Sequence, residues 1–316
     1  MLTKGLPSLK FFSLVDRGTD SKPLSLKSDP GPFEKIYLET YGFADLPPST
    51  LVYRRMGLLA FKDSFLGVHI LIPPQVKGTV FFFHGYLDHS GAWTSVWRKI
   101  LERGWGLVGI DLPGHGFSFG ERGDIQDFSL YGRMVDTVLS WASLQTDLFL
   151  RPWVGLGHST GAASIWIYLS EIEVHKSRSG FDTHLFLSPL VRSTYWHTGK
   201  VLGNLFGWAA PYWKSRTVRD PLLDIPYFPL HWAQALWNWE SKVATYPVLN
   251  KEGWIIQGTK DDVVDWPYSI AILTAKLPKF RVIYVERAGH VPYTQTPEAR
   301  TYVEKLIEVL DRKSML

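Results

Sequence analysis

Ser159 sits at the centre of Gly157-His158-Ser159-Thr160-Gly161, a Gly-X-Ser-X-Gly pattern. A short apolar run, Trp153-Val154-Gly155-Leu156, enters it, and a helix-like apolar segment from Ala162 to Tyr168 leaves it. That order reads as strand, sharp turn and helix, with the serine at the apex and glycines on both sides so that strand and helix can pack closely around it. A serine hydroxyl is a weak nucleophile until an imidazole takes its proton and a carboxylate holds that imidazole in the right tautomer. The chemistry this stretch could do is therefore attack on a carbonyl carbon. It requires an acid and then a histidine further along the chain, each just past a strand.

Both are present in that order. Gly258-Thr259-Lys260-Asp261-Asp262 follows the apolar run Gly253 to Gln257, and Ala288-Gly289-His290-Val291 follows Arg281 to Val285. His290 is the histidine placed to serve as base. Asp261, Asp262 and Asp265 are adjacent candidates for the acid. Asp261 is favoured because it comes first after the turn, where a strand-end carboxylate points inward.

Attack on a carbonyl also needs backbone N–H groups aimed at the oxygen that becomes charged. An elbow supplies one from the residue after the nucleophile, here Thr160. The second is expected from the loop after an early central strand. His84-Gly85-Tyr86 is that loop, and the Tyr86 N–H is the expected donor. His84 and His158 could suggest a metal site, but local hydrogen bonding is the expectation for them and no metal is called for.

The elements that position these residues alternate. Strands are expected at 54–61, 66–72, 79–83, 106–110, 184–187, 253–257 and 281–285, besides the elbow strand. Helices are expected at 93–103, 128–144, 267–275 and 297–310, besides the one leaving the elbow. Continuous apolar runs such as Thr79-Val80-Phe81-Phe82-Phe83 suit strands buried on both faces of a mostly parallel sheet, and the alternation implies helices on both sides. The expected organisation is an N-terminal arm at 1–50, irregular with at most one strand, a first core part at 51–189, an inserted lid at 190–246 and a second core part at 247–316. The lid breaks the alternation, with helical patches near 201–208 and 231–242. It holds Trp196, Trp208, Trp213, Trp232, Trp237 and Trp239 of the chain's 14 tryptophans. So many rings cannot all face water; they must pack on each other, on the sheet edge or on a ligand.

Composition narrows the field. A chain of 316 residues with 45% hydrophobic and 20% charged residues is foldable, not disordered. It has no cysteine, which excludes disulfides, thiolate metal sites and cysteine nucleophiles. A net charge of +4 without a basic block argues against a nucleic-acid site. No signal peptide or membrane-spanning run is evident, so a cytoplasmic location is expected. The arm combines Lys4, Lys10, Arg17, Lys22 and Lys27 with Leu9, Phe11, Phe12 and Leu14. Packing on the domain is the simpler expectation for it, and contact with an anionic membrane surface the alternative.

Three stretches carry a family resemblance. His84-Gly85-Tyr86-Leu87-Asp88-His89-Ser90-Gly91 resembles the His-Gly loop of the monoacylglycerol lipase and lysophospholipase group of α/β-hydrolases. Asp111-Leu112-Pro113-Gly114-His115-Gly116-Phe117-Ser118-Phe119-Gly120-Glu121-Arg122-Gly123 is similar to that group's long glycine loop, and Phe128 and Tyr131 continue the match. The elbow, the Asp261 turn and Gly289-His290 correspond as well. The elbow departs at Thr160 and Ala162, where the group usually carries Met and Gly.

The resemblance implies an α/β-hydrolase fold with Ser159, Asp261 and His290 as triad and Tyr86 and Thr160 as oxyanion donors. It also implies two-step ester hydrolysis through an acyl-serine, without a cofactor. The expected substrate is the ester of a single-acyl-chain lipid. A small-ester esterase or a peptidase on the same fold is the alternative, and a non-catalytic binding protein a third reading; proteins of that last kind typically lack a triad member, and none is missing here.

Overall fold

The computed structural model describes residues 32–43, 46, 53–176, 180–194, 196, 212–214, 225, 227–294 and 296–313. Its centre is an eight-stranded sheet. In chain order the elements that build it are β1 (Tyr53–Phe61), β2 (Ser64–Ile72), β3 (Thr79–Phe83), α2 (Thr94–Glu102), β4 (Gly106–Ile110), α3 (Ser129–Ala142), β5 (Trp153–His158), α4 (Thr160–Ile167) and β6 (Thr183–Leu187), then β9 (Gly253–Gly258), α6 (Trp266–Lys276), β10 (Phe280–Val285) and α7 (Pro297–Lys313). A nine-residue helix, α1 (Pro32–Thr40), precedes them. Between β6 and β9 lie a two-stranded ribbon, β7 (Tyr212–Lys214) with β8 (Tyr227–Pro229), and α5 (Leu230–Glu240).

The strand order is β1-β2-β4-β3-β5-β6-β9-β10. β2 runs antiparallel to β1 and β4, and every other pair is parallel. This is the mostly parallel α/β-hydrolase sheet that the sequence leads one to expect. All five residues of β3 are buried, because alternate side chains feed two different cores. Phe81 and Phe83 join the cluster formed with α3, α4, α5 and α6. Val80 and Phe82 join the one formed with α1, α2 and α7. The loops that matter chemically leave the carboxyl ends of β3, β4, β5, β9 and β10, at one edge of the sheet.

α1 differs from expectation. The stretch read as an irregular arm with at most one strand carries a helix instead. Nine residues are too few to be stable by propensity alone, so tertiary contact must hold them. Tyr37 supplies it: its ring lies 4.7 Å from Phe117 and 5.6 Å from His69. Residues 1–31, with the basic and apolar positions noted above, lie outside the described residues, as does the helical patch near 201–208.

The helix leaving the elbow packs tightly on the central strand. A β-carbon added at Gly161 would meet Phe83 O at 2.0 Å and His84 O at 2.7 Å, both backbone atoms that cannot rotate away. Gly161→Ala is expected to destabilise the fold by about 2 kcal/mol in chemical unfolding, the usual cost of overpacking a closed core. Unchanged stability would mean that α4 can slide on β3.

Candidate active site

The elbow is formed as its sequence suggests. Ser159 has φ 51° and ψ −112°, a left-side conformation costly for a residue with a side chain, and it is buried. Backbone bonds hold it there: Ser159 N–H donates to Leu187 O (2.9 Å), and its carbonyl accepts from Ala163 (3.1 Å) and Leu190 (3.2 Å). Thr160 begins α4, so its N–H is one that the helix leaves without an intrahelical partner.

The three carboxylates after β9 separate cleanly. Asp261 Oδ2 accepts from His290 Nδ1 at 2.8 Å and from Gln257 Nε2 at 3.1 Å. Its Oδ1 accepts from the N–H groups of Val263 (3.0 Å) and Val264 (3.1 Å). Asp262 is exposed to solvent. Asp265 caps α6 through the Tyr268 N–H. Burial alone would raise the Asp261 pKa. The His290 bond and charge and the two backbone donors outweigh that and hold the carboxyl below its ordinary value. Because the folded-state value is depressed, the stability Asp261 contributes is present above the ordinary carboxylate range. It is lost as pH falls through the lowered value.

His290 is tied to the elbow through its neighbour in sequence to Ser159. His158 Nε2–H donates to His290 O (3.0 Å), and the two rings lie 4.7 Å apart. Burial, reinforced by the nearby His290, pushes His158 down to about 3, so it stays neutral at working pH. His84 has a local role too: its Nδ1–H donates to Gly85 O (2.7 Å) and its Nε2 accepts the Leu112 N–H (2.9 Å). Among the described residues no cluster of metal-binding side chains occurs.

The loop after β3 lies directly against Ser159. A β-carbon at Gly85 would meet Ser159 Cβ at 3.3 Å and His158 Nδ1 at 2.8 Å. The next residue is Tyr86, whose hydroxyl donates to Gly123 O at 2.6 Å. Leu87 follows with φ 60°. Asp111, the first residue after β4, anchors this loop to the glycine-rich one by accepting from Ser90 N–H and Phe117 N–H, each at 2.8 Å. Burial opposes its charge, but His69, His84 and His89 around it keep the carboxyl strongly lowered.

The segment between β6 and β9 reaches both sides of this site. At its root, Thr194 N–H donates to Val263 O (3.0 Å), Asp265 N–H donates to Arg192 O (2.9 Å), and Ser193 bridges to Val264, all on the turn that holds Asp261. Arg192 also pairs with Glu240 at the end of α5 (2.8 Å). Farther on, Trp232 stacks on Tyr86 with ring centres 3.7 Å apart. Trp196, Trp232, Trp237 and Trp239 are buried. Trp196 meets Trp237 edge-on, and Trp239 stacks on Phe128. Thus much of the aromatic excess packs on itself and on α3. Trp208 and the ring of Trp213 lie outside the described residues.

Sequence reasoning missed Gln257, Asp111 and the Trp232–Tyr86 stack as parts of the site. Gln257 had a signal, as the polar residue ending the buried run Gly253 to Gln257, and Asp111 had one in its place directly after an apolar strand. The stack had none, since nothing local pairs a loop tyrosine with a distant tryptophan.

The family described as "Serine aminopeptidase, S33" matches residues 74–292. A monoglyceride lipase homolog of Monkeypox virus is 26% identical over 250 residues, which cover 73% of this chain and 88% of the viral one. An abhydrolase domain-containing protein of Dictyostelium discoideum is 31% identical over 158 residues, 48% of this chain; the match spans only 16% of that much longer protein. Among solved structures, a soluble variant of the Saccharomyces cerevisiae monoglyceride lipase, in complex with a substrate analog, superposes with a TM-score of 0.67 at 15% identity. The match covers 84% of this chain and 97% of the yeast one.

Proposed function

The chain belongs to the serine aminopeptidase S33 family, within the α/β-hydrolases that resemble monoglyceride lipases, and from that premise we propose that it is a serine hydrolase of single-acyl-chain lipid esters. In this reading Ser159 Oγ attacks the ester carbonyl while His290 Nε2 takes its proton. Asp261 holds the imidazole through Nδ1 and stabilises the imidazolium. The oxyanion is met by the N–H groups of Tyr86 and Thr160. The tetrahedral adduct collapses to an acyl-serine, and His290 returns the proton to the departing alcohol. Water then repeats the sequence and releases the fatty acid. No step needs a metal or cofactor.

The observation that carries the lipid reading is the aromatic cover beside the nucleophile. Trp232 and Phe228, from the segment we take to be a lid, close over Tyr86 with ring centres 3.7 and 5.5 Å from it. Such surface offers apolar area and few hydrogen bonds, which suits an acyl chain better than a peptide. The family's own description favours a second reading, cleavage of an N-terminal amino acid, and one panel of substrates separates the two.

Each buried methylene contributes about 0.8 kcal/mol, so kcat/KM is expected to rise several-fold per two carbons from acetate toward longer p-nitrophenyl esters until the site is full. Monoacylglycerols and lysophospholipids should be turned over and aminoacyl p-nitroanilides should not. A flat chain-length profile, or a preference for acetate, would replace the lipid with a small ester. Turnover of the anilides would favour the peptidase. Among the described residues no helix is long and apolar enough to cross a membrane. Contact of the N-terminal arm with anionic lipid is the alternative to its packing on the domain; equal vesicle binding by full-length and arm-truncated protein would remove that alternative.

A further inference from the structure

We infer that Trp232 is a positioning residue for the oxyanion hole, so that the insertion helix α5 takes part in the chemical step and does more than line a pocket. The inference rests on the reading above, in which Tyr86 N–H is an oxyanion donor.

Four observations lead to it. The loop that carries Tyr86 packs straight onto the nucleophile, since a β-carbon at Gly85 would come within 3.3 Å of Ser159 Cβ. A small displacement of this loop therefore changes the geometry at Ser159 directly. The loop is not held by its own backbone preference: Leu87, next to Tyr86, has φ 60°, a region that side-chain-bearing residues occupy only when their surroundings compel it. The surroundings that compel it include the Tyr86 ring. That ring lies nearly parallel to Trp232 at 3.7 Å and 20°, edge-on to Phe228 at 5.5 Å and edge-on to His115 at 5.3 Å, with its hydroxyl on Gly123 O. Finally, Trp232 is itself fixed from behind. Its Nε1–H donates to Tyr131 Oη on α3 at 3.0 Å, and Phe128 packs on it at 5.4 Å. A rigid helix thus holds an indole, and the indole holds the side chain whose backbone N–H faces the developing charge.

Electrostatic stabilisation of an oxyanion depends steeply on donor placement, and losing one donor outright costs about 10²–10³ in kcat. Releasing the Tyr86 ring displaces the donor without deleting it. Trp232→Leu, which leaves an apolar but smaller side chain and removes the ring, is expected to lower kcat by about 10- to 100-fold, beyond any change in KM from lost apolar surface. Trp232→Phe, which keeps a ring, should recover most of the activity. Tyr131→Phe, which removes only the acceptor of the indole N–H, should have a small effect.

The decisive measurement compares two ligands of one shape. An alkyl trifluoromethyl ketone adds Ser159 Oγ to its carbonyl carbon, passes the serine proton to His290 and leaves a negative oxygen in the hole. The corresponding trifluoromethyl alcohol fills the same space and cannot form that anion. In Trp232→Leu, ketone affinity should fall in step with kcat/KM and by at least about tenfold more than alcohol affinity. Equal weakening of both ligands would show that Trp232 only lines the acyl site and would overturn the inference. So would unchanged binding of both. If Trp232→Leu fails to fold, the same comparison is read from Trp232→Met, which also lacks a ring: a kcat and ketone loss that exceeds the loss of alcohol binding supports the inference, and an equal change or no change in both overturns it. A wild-type protein that neither turns over esters nor binds the ketone would instead overturn the functional reading, and this inference with it.

Discussion

Ser159→Ala is expected to lower kcat for ester hydrolysis by about 10⁴–10⁶ and to leave the protein folded. The size follows from the cooperative action of a nucleophile, its base and its orienting acid: removing one member leaves only what binding and oxyanion donors provide. The intact fold follows from the way the elbow is held, since the hydrogen bonds that fix residue 159 run through its backbone N–H and C=O. Alanine retains both. A burst assay with a p-nitrophenyl ester and a thermal melt check the two halves of this expectation. Activity within tenfold of wild type would remove Ser159 from the role of nucleophile and with it the acyl-serine pathway.

Asp261→Asn is expected to cost about 10⁴ in kcat, whereas Asp262→Asn changes it by less than about twofold. Only the Asp261 carboxylate reaches His290, at 2.8 Å, and the side chain beside it points to solvent. An amide at position 261 can offer His290 a donor in place of an acceptor, which favours the tautomer with the proton on the wrong nitrogen. It also loses the charge that stabilises the imidazolium, while the bonds from Val263 and Val264 N–H can persist to the amide oxygen. The substitution is therefore a test of chemistry more than of stability. If the two variants ranked the other way, the acid would have to be reassigned to Asp262.

The frame of this protein was legible because its strands announce themselves. Thr79–Phe83, Gly106–Ile110 and Gly253–Gly258 are buried on both faces, and a strand in that situation is apolar along most of its length. The Asp261 and His290 positions were legible for a related reason: each lies in the short loop that follows a strand at the carboxyl edge of the sheet, Asp261 after Gly253–Gly258 and His290 after Phe280–Val285. What stayed hidden depends on contacts between distant parts of the chain. Nothing in Pro32–Thr40 marks a helix strongly, and it exists because Tyr37 finds Phe117 and His69. The tryptophans of the insertion were visibly too many for solvent, yet which of them would face Tyr86 could not be read from spacing. Their partners lie on α3 and on the loop after β3, brought near only when the sheet has formed.

The helix that leaves the elbow is buried along its whole length, from Thr160 to Ile167, with no solvent-facing side. That has a consequence for how the molecule breathes. Amide protons in such a segment have no partial opening through which to meet water, and they exchange only when the domain unfolds as a whole. Peptides covering α4 should then be the last to take up deuterium, at a rate that reports global stability. Ligands that alter uptake in the insertion or in the loop after β3 should leave α4 unchanged, except through the overall stabilisation that binding confers. The nucleophile would stand on the slowest-exchanging part of the protein, and whatever moves during turnover would have to move around it.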